Sequence, residues 1–155
     1  MQFVKRAEDN PLISAVLGGA LVGLIPAWAM TQTVRAFPSL KPEELQIVSD
    51  FFSAGIGPMQ IMLFAIVVFV VPPVEEFIFR SALWRLFGWA KQTPKVTWIG
   101  VSLLFAAFHM EPLHIVGLLP LSFFLGWLRL KTGNINASTL AHMANNAVGC
   151  LLMVI

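Results

Sequence analysis

Long apolar runs separated by short polar connections make up the chain. After the polar stretch MQFVKRAEDN comes LISAVLGGALVGLIPAWAM, with Asp9 and Asn10 placed to cap a helix and Pro11 at its first turn, which predicts a helix to roughly Phe37. PSLKPEELQIVSD then reads as a linker. A second helical region, from about Gly57 to Ala90, would be about 50 Å long if unbroken, more than one bilayer core. Pro72 and Pro73 lack backbone donors and crowd the preceding turn, so they mark the expected interruption. Helices from about Val96 to Met110, Leu113 to Leu130 and Ala137 to Ile155 complete the pattern. With no internal repeat, low-complexity segment or soluble unit, residues 1–155 read as a single integral membrane domain.

Composition fixes the solvent. A chain with 57% hydrophobic and 12% charged residues and a mean hydropathy of +0.79 cannot cover a core with polar surface in water. The predicted fold class is therefore all-α, a polytopic membrane helical bundle of about five transmembrane helices with a Pro-Pro break in the second. The pI near 9.0 arises from a net charge of +2, and the basic residues read as topology signals, not as a nucleic-acid surface. Lys5, Arg6, Arg85, Lys91, Lys95, Arg129 and Lys131 all flank one side of the predicted spans. Arg35 and Lys41 lie on the other, offset by Glu43, Glu44 and Asp50. This asymmetry predicts an inside N-terminus and an outside C-terminus, in what reads as a prokaryotic cytoplasmic membrane. The first helix lacks a small-residue cleavage site and reads as a retained signal anchor. Cys150 is the single cysteine and makes no internal disulfide.

Charges inside this apolar pattern need an explanation, and the densest group is VPPVEEFIFR, residues 71–80. On a helix Glu75 and Glu76 point about 100° apart, whereas Glu76 and Arg80 share a face and can neutralise each other. Glu75, on the face of Phe79, has no cation on its own helix and must look into the bundle or a wet cavity. A structural ion pair at a kinked helix would explain EExxxR equally well. Two further pairs change the balance: Phe105 and His109 share a face of the third helix, and His142 and Asn146 share a face of the fifth. Counting from the ends on one side, Glu75 lies about 16 Å deep, His109 about 20 Å and Asn146 about 14 Å, so they can meet.

A carboxylate beside an imidazole can take a proton from water, and a second imidazole with a carboxamide can donate to an oxyanion. That set suits amide hydrolysis without a protein nucleophile. Ser81 has no histidine at a readable spacing, Cys150 ends an apolar run, and no HExxH motif is present. A zinc site from Glu75, His109 and His142 is the second mechanism, since those ligand types suit the metal.

Glu75-Glu76-x-x-x-Arg80, Phe105-x-x-x-His109 and His142-x-x-x-Asn146, in this order, resemble the three motifs of the CAAX protease and bacteriocin-processing (CPBP) family of intramembrane endopeptidases. SFFLGWLRLKTGNINASTLAHMANN resembles the run before that family's last motif, and the similarity covers about residues 70–149. The resemblance implies a metal-free, glutamate-dependent hydrolase in which Glu75 and His109 activate water. His142 and Asn146 would form the oxyanion site, supported by Glu76, Arg80 and Phe105. It implies no cofactor, and as partners membrane lipids and a membrane-associated protein or peptide substrate. The chain is shorter than many members of that family, which leaves room for completion by a second copy, a homo-oligomer.

A non-catalytic membrane protein is the rival reading: a bacteriocin-immunity or assembly factor, or a small proton-coupled carrier. A carrier would show inverted repeats and paired broken helices, and only one double-proline break is present. The remaining polar and aromatic residues read as architecture. His114 and Glu111 face the outer turn, Asn145 packs between helices, and Trp28, Trp84, Trp89, Trp98 and Trp127 lie mostly near interfaces. Gly18, Gly19 and Gly23 permit close helix contact.

Overall fold

The structure, a computed structural model, describes residues 11–38, 50 and 55–154. Among these the chain is helical throughout, with no strand. Five helices follow in order: α1 Pro11–Ala36, α2 Pro58–Trp89, α3 Pro94–Ala107, α4 Pro112–Thr132 and α5 Asn136–Val154. The proposed cap at Asp9 and Asn10, the basic pair Lys5 and Arg6, and most of the linker, with Lys41, Glu43 and Glu44, lie outside the described residues. Helices α2, α3 and α4 each begin on a proline, whose missing N–H would have no partner in a first turn anyway. Thr93 and Glu111 cap α3 and α4 by accepting from the N–H groups of Val96 (3.3 Å) and His114 (2.7 Å). Gly133, at φ +72°, closes α4 in the left-handed conformation.

This is an all-α membrane helical bundle. Helices α2 and α4 are long and apolar enough to cross a bilayer, and the burial pattern is that of a lipid-bathed protein. Large apolar side chains such as Leu17, Leu21, Ile61, Phe69, Phe77 and Val116 are exposed, while Glu76 and Arg80 are among the largest fully buried ones. Polar groups gather inside, where partners exist, because hydrocarbon offers none.

Two apolar clusters hold the helices together. Ala15, Leu121, Leu125, Leu128, Ala137 and Ala141 join α1, α4 and α5, and Phe79, Val101 and Phe105 join α2 to α3. Helices α1 and α5 approach to backbone contact at Gly19, where a Cβ would fall on the carbonyl of Ala141; one turn on, a Cβ at Gly23 would strike Asn145 Oδ1. The small residues thus seat α1 against the α5 face beside His142 and Asn146.

At Pro72–Pro73 the expected interruption takes the form of a change in hydrogen-bond pattern, not a severed rod. Pro58–Trp89 runs as one helix, with π-helical turns at Ile66–Val70 and Phe77–Leu83 on either side of the prolines. In the first of these Val71 N–H bonds to Ile66 O, five residues back. The next bond of that type would need an N–H from Pro72, which has none. The second wide turn enlarges the buried face, so that three consecutive residues, Phe79, Arg80 and Ser81, are all buried. Wide turns of this kind recur at functional sites, where they re-aim side chains.

Candidate active site

The polar interior is built on α2 and closed by α3, α4 and α5. As the i,i+4 spacing predicts, Arg80 Nη1 donates to Glu76 Oε1 at 3.0 Å, with both side chains fully buried. Its other terminal nitrogen donates to Ser122 O and Oγ on α4, both at 3.1 Å, and its guanidinium lies 4.2 Å from the centre of the Phe105 ring. Ser102 and Ser122 tie α3 to α4 by reciprocal bonds: Ser122 Oγ donates to Ser102 O (2.7 Å) and Ser102 Oγ to Ser122 O (3.1 Å). These two serines were not singled out from sequence. The available signal was an isolated hydroxyl residue in each apolar helix, GVSLLF and PLSFF.

His142 on α5 stands between the two glutamates. Its Nδ1 is 3.2 Å from Glu76 Oε1 and its Nε2 is 3.5 Å from Glu75 Oε2. Glu76 is sealed, but the Glu75 side chain keeps 22% of its surface exposed. The adjacent carboxylates therefore differ in access: Glu76 is enclosed and bound by Arg80, Glu75 is partly open, and His142 lies against both.

His109 lies just beyond the end of α3, in the turn after Ala107, and not on the helix itself as the apolar run implied. Met110, at φ +56°, lets the chain reverse there within a few residues. The i,i+4 relation to Phe105 survives in another form, with His109 Nδ1 3.1 Å from Phe105 O and the two rings 5.3 Å apart. A carbonyl only accepts, so in this contact Nδ1 is the donor. Phe105 is fully buried and shared by three polar groups: His109, His142 at 5.6 Å between ring centres, and Arg80.

Glu75 and His109, paired in the expected water-activating dyad, are not within hydrogen-bond distance of each other, and the imidazole against Glu75 is that of His142. Asn146 does share the inner face of α5 with His142, and its carboxamide N–H donates to Val67 O at 3.0 Å. That carbonyl is the acceptor Pro72 leaves without a backbone donor. Asn145 Nδ2 in turn approaches Asn146 Oδ1 at 3.4 Å, and its own carbonyl packs at Gly23. Among the described residues no group of three histidine, cysteine, aspartate or glutamate side chains is arranged to hold a metal ion, the set Glu75, His109 and His142 included.

Other sequence assignments resolve locally. Trp98 Nε1 donates to Phe123 O (2.9 Å), bracing α3 on α4, whereas Trp28 and Trp89 are widely exposed. Cys150 is buried and free.

A protein-family model described as type II CAAX prenyl endopeptidase Rce1-like matches residues 57–148, more than half of the chain and the whole of the cluster above. No curated protein and no solved structure matches.

Proposed function

This chain belongs to the type II CAAX prenyl endopeptidase Rce1-like family, and on that premise we propose that it is an intramembrane endopeptidase whose Glu75 activates water to hydrolyse a membrane-associated protein or peptide. The observation that carries this reading is the difference between the glutamates. Glu76 is sealed and paired with Arg80, whereas Glu75 is partly exposed and free of Arg80, with the His142 ring shared between the two.

In the reaction, Glu75 removes a proton from water as its oxygen bonds to the scissile carbonyl carbon. The carbonyl oxygen becomes an oxyanion, which donors at the site stabilise. Protonation of the amide nitrogen by the carboxyl group so formed lets the C–N bond break, leaving an acid and an amine. His142 lies with Nδ1 toward Glu76 and Nε2 toward Glu75, and so links the two carboxylates and fixes the direction of Glu75. His109, held by its Nδ1 contact to Phe105 O, presents Nε2 as the further group for orienting the attacking water. Asn146 contributes its carboxamide to the oxyanion site and to the seating of α2.

The protein lies in a cytoplasmic membrane, N-terminus inside and C-terminus outside, with lipids and its substrate as partners. The reaction requires no metal; zinc on Glu75, His109 and His142 is the competing mechanism. The deciding experiment is cleavage of a membrane-tethered peptide reporter by purified protein in detergent, wild type against Glu75→Gln. Loss of at least about 100-fold in turnover with an unchanged melting temperature is expected. Equal turnover by the two proteins would remove Glu75 from the chemistry, and no cleavage by either would leave an immunity, assembly or carrier role.

A further inference from the structure

We propose that Ser122 is a positioning residue for the hydrolysis: through Arg80, Glu76 and His142 it sets the direction in which Glu75 is held. This role rests on the reading of Glu75 as the base that activates water, and it brings a residue of α4 into a site built from α2, α5 and the turn after α3.

The Arg80 guanidinium is held on its face and along its edges. Phe105 lies against the face, with 4.2 Å between ring centre and guanidinium carbon, and limits its position without setting its rotation in the plane. Nε has no hydrogen-bond partner among the described residues, so that rotation is set by the terminal nitrogens. Nη1 donates to Glu76 Oε1 at 3.0 Å, but Glu76 belongs to the same helix, and the couple alone is free to swing as a unit. Nη2 donates to Ser122 O and Oγ, both at 3.1 Å, and these bonds tie the couple to a different helix.

Ser122 is suited to this by its own contacts. Its hydroxyl donates to Ser102 O on α3 at 2.7 Å, which uses its one proton and leaves lone pairs for Arg80. Ser102 Oγ donates back to Ser122 O at 3.1 Å, and both serines are fully buried, so bulk water does not compete for these bonds. Beyond Arg80 the contacts continue through a single atom. Glu76 Oε1 accepts from Nη1 and lies 3.2 Å from His142 Nδ1, and Nε2 of that ring lies 3.5 Å from Glu75 Oε2. A shift of the guanidinium therefore moves Glu76 Oε1, turns the His142 ring and re-aims Glu75. Trp98 braces the same two helices by donating to Phe123 O at 2.9 Å, outside this series of contacts, and so supplies the comparison.

The test compares Ser122→Ala with Trp98→Phe in the full chain in detergent. The readings are melting temperature, initial rates of reporter cleavage against reporter concentration, and NMR of histidine-labelled protein, with the His142 ring signals identified by their loss in His142→Gln. Ser122→Ala should lower kcat about tenfold, change KM by less than about twofold and displace the His142 signals. Trp98→Phe should lower the melting temperature and leave kcat and those signals near their wild-type values. Ser122→Cys, close in volume but a weak acceptor, takes the place of Ser122→Ala if that variant does not fold. Unmoved His142 signals or an unchanged kcat in the Ser122 variant would overturn the proposal. So would equal changes of both in Trp98→Phe, which would make the effect one of helix packing alone. No cleavage by the wild type would remove the hydrolytic reading, with displaced His142 signals still supporting the series of contacts and unmoved ones overturning it.

Discussion

Asn146 donates its carboxamide N–H to the carbonyl of Val67, 3.0 Å away, on the opposite side of the double proline from the glutamates. The side chain of α5 thus replaces a backbone donor that α2 lacks. Removing it in Asn146→Ala should cost about 1–3 kcal/mol, the usual effect of leaving a partly buried acceptor unpaired. In a Pro72→Ala background residue 72 regains its N–H, so the same substitution should cost much less. Detergent melting of the four proteins in this cycle provides the measurement. Equal losses in both backgrounds would mean that Asn146 does not stand in for the proline.

The Glu76–Arg80 pair makes a second cycle. Glu76→Gln and Arg80→Gln should each lower stability by about 3–5 kcal/mol, because each leaves a buried charge uncompensated. The double variant should lie closer to wild type than the sum of the singles, a result read from melting temperatures and folded yield. An additive double variant would show that the two charges do not depend on each other.

Gly19→Ala puts a methyl group on the backbone of Ala141, and backbone cannot rotate away. A loss of about 1–3 kcal/mol is expected, with Gly88→Ala, where nothing lies within 4 Å, as a neutral control. The measure is again the melting temperature. Matching values for the two variants would contradict the close approach of α1 and α5.

Metal dependence can be tested separately from the identity of the site. Hydrolysis should persist in chelator once metal removal is confirmed by elemental analysis. Activity lost and then restored specifically by zinc would turn Glu75, His109 and His142 into ligands and leave the water on the metal.

Reporter fusions should place the N-terminus and the Lys91 loop in the cytoplasm and the C-terminus outside. A cytoplasmic C-terminus together with a cytoplasmic N-terminus would mean an even number of spans and overturn the count of five.

Helix positions were legible because each apolar run is bounded by prolines and polar turns, and Pro58, Pro94 and Pro112 each open a helix. The Glu76–Arg80 bond was legible for the same local reason, a spacing of four on one helix. What lay hidden are contacts between helices far apart in the chain. Nothing in the local pattern around Glu75 shows that His142 will meet it, or that Ser122 will hold Arg80. His109 was misplaced onto a helix because the apolar run continues through AAFHM, while the reversal depends on Met110 at a positive φ that non-glycine residues seldom adopt. The π-helical turns were equally silent, since no residue preference marks them, yet they set which of residues 75–81 face inward.

The division of this charge cluster among three helices constrains how the protein can be made. The ribosome delivers α2 before α4 and α5, so two carboxylates and a guanidinium reach the membrane ahead of Ser122 and His142. Glu76 and Arg80 can travel as a mutually neutral couple on one helix, but Glu75 has no companion until the last helix arrives. Until α5 is in place, Glu75 lacks the imidazole it meets in the finished bundle, and an unaccompanied carboxylate is costly in hydrocarbon.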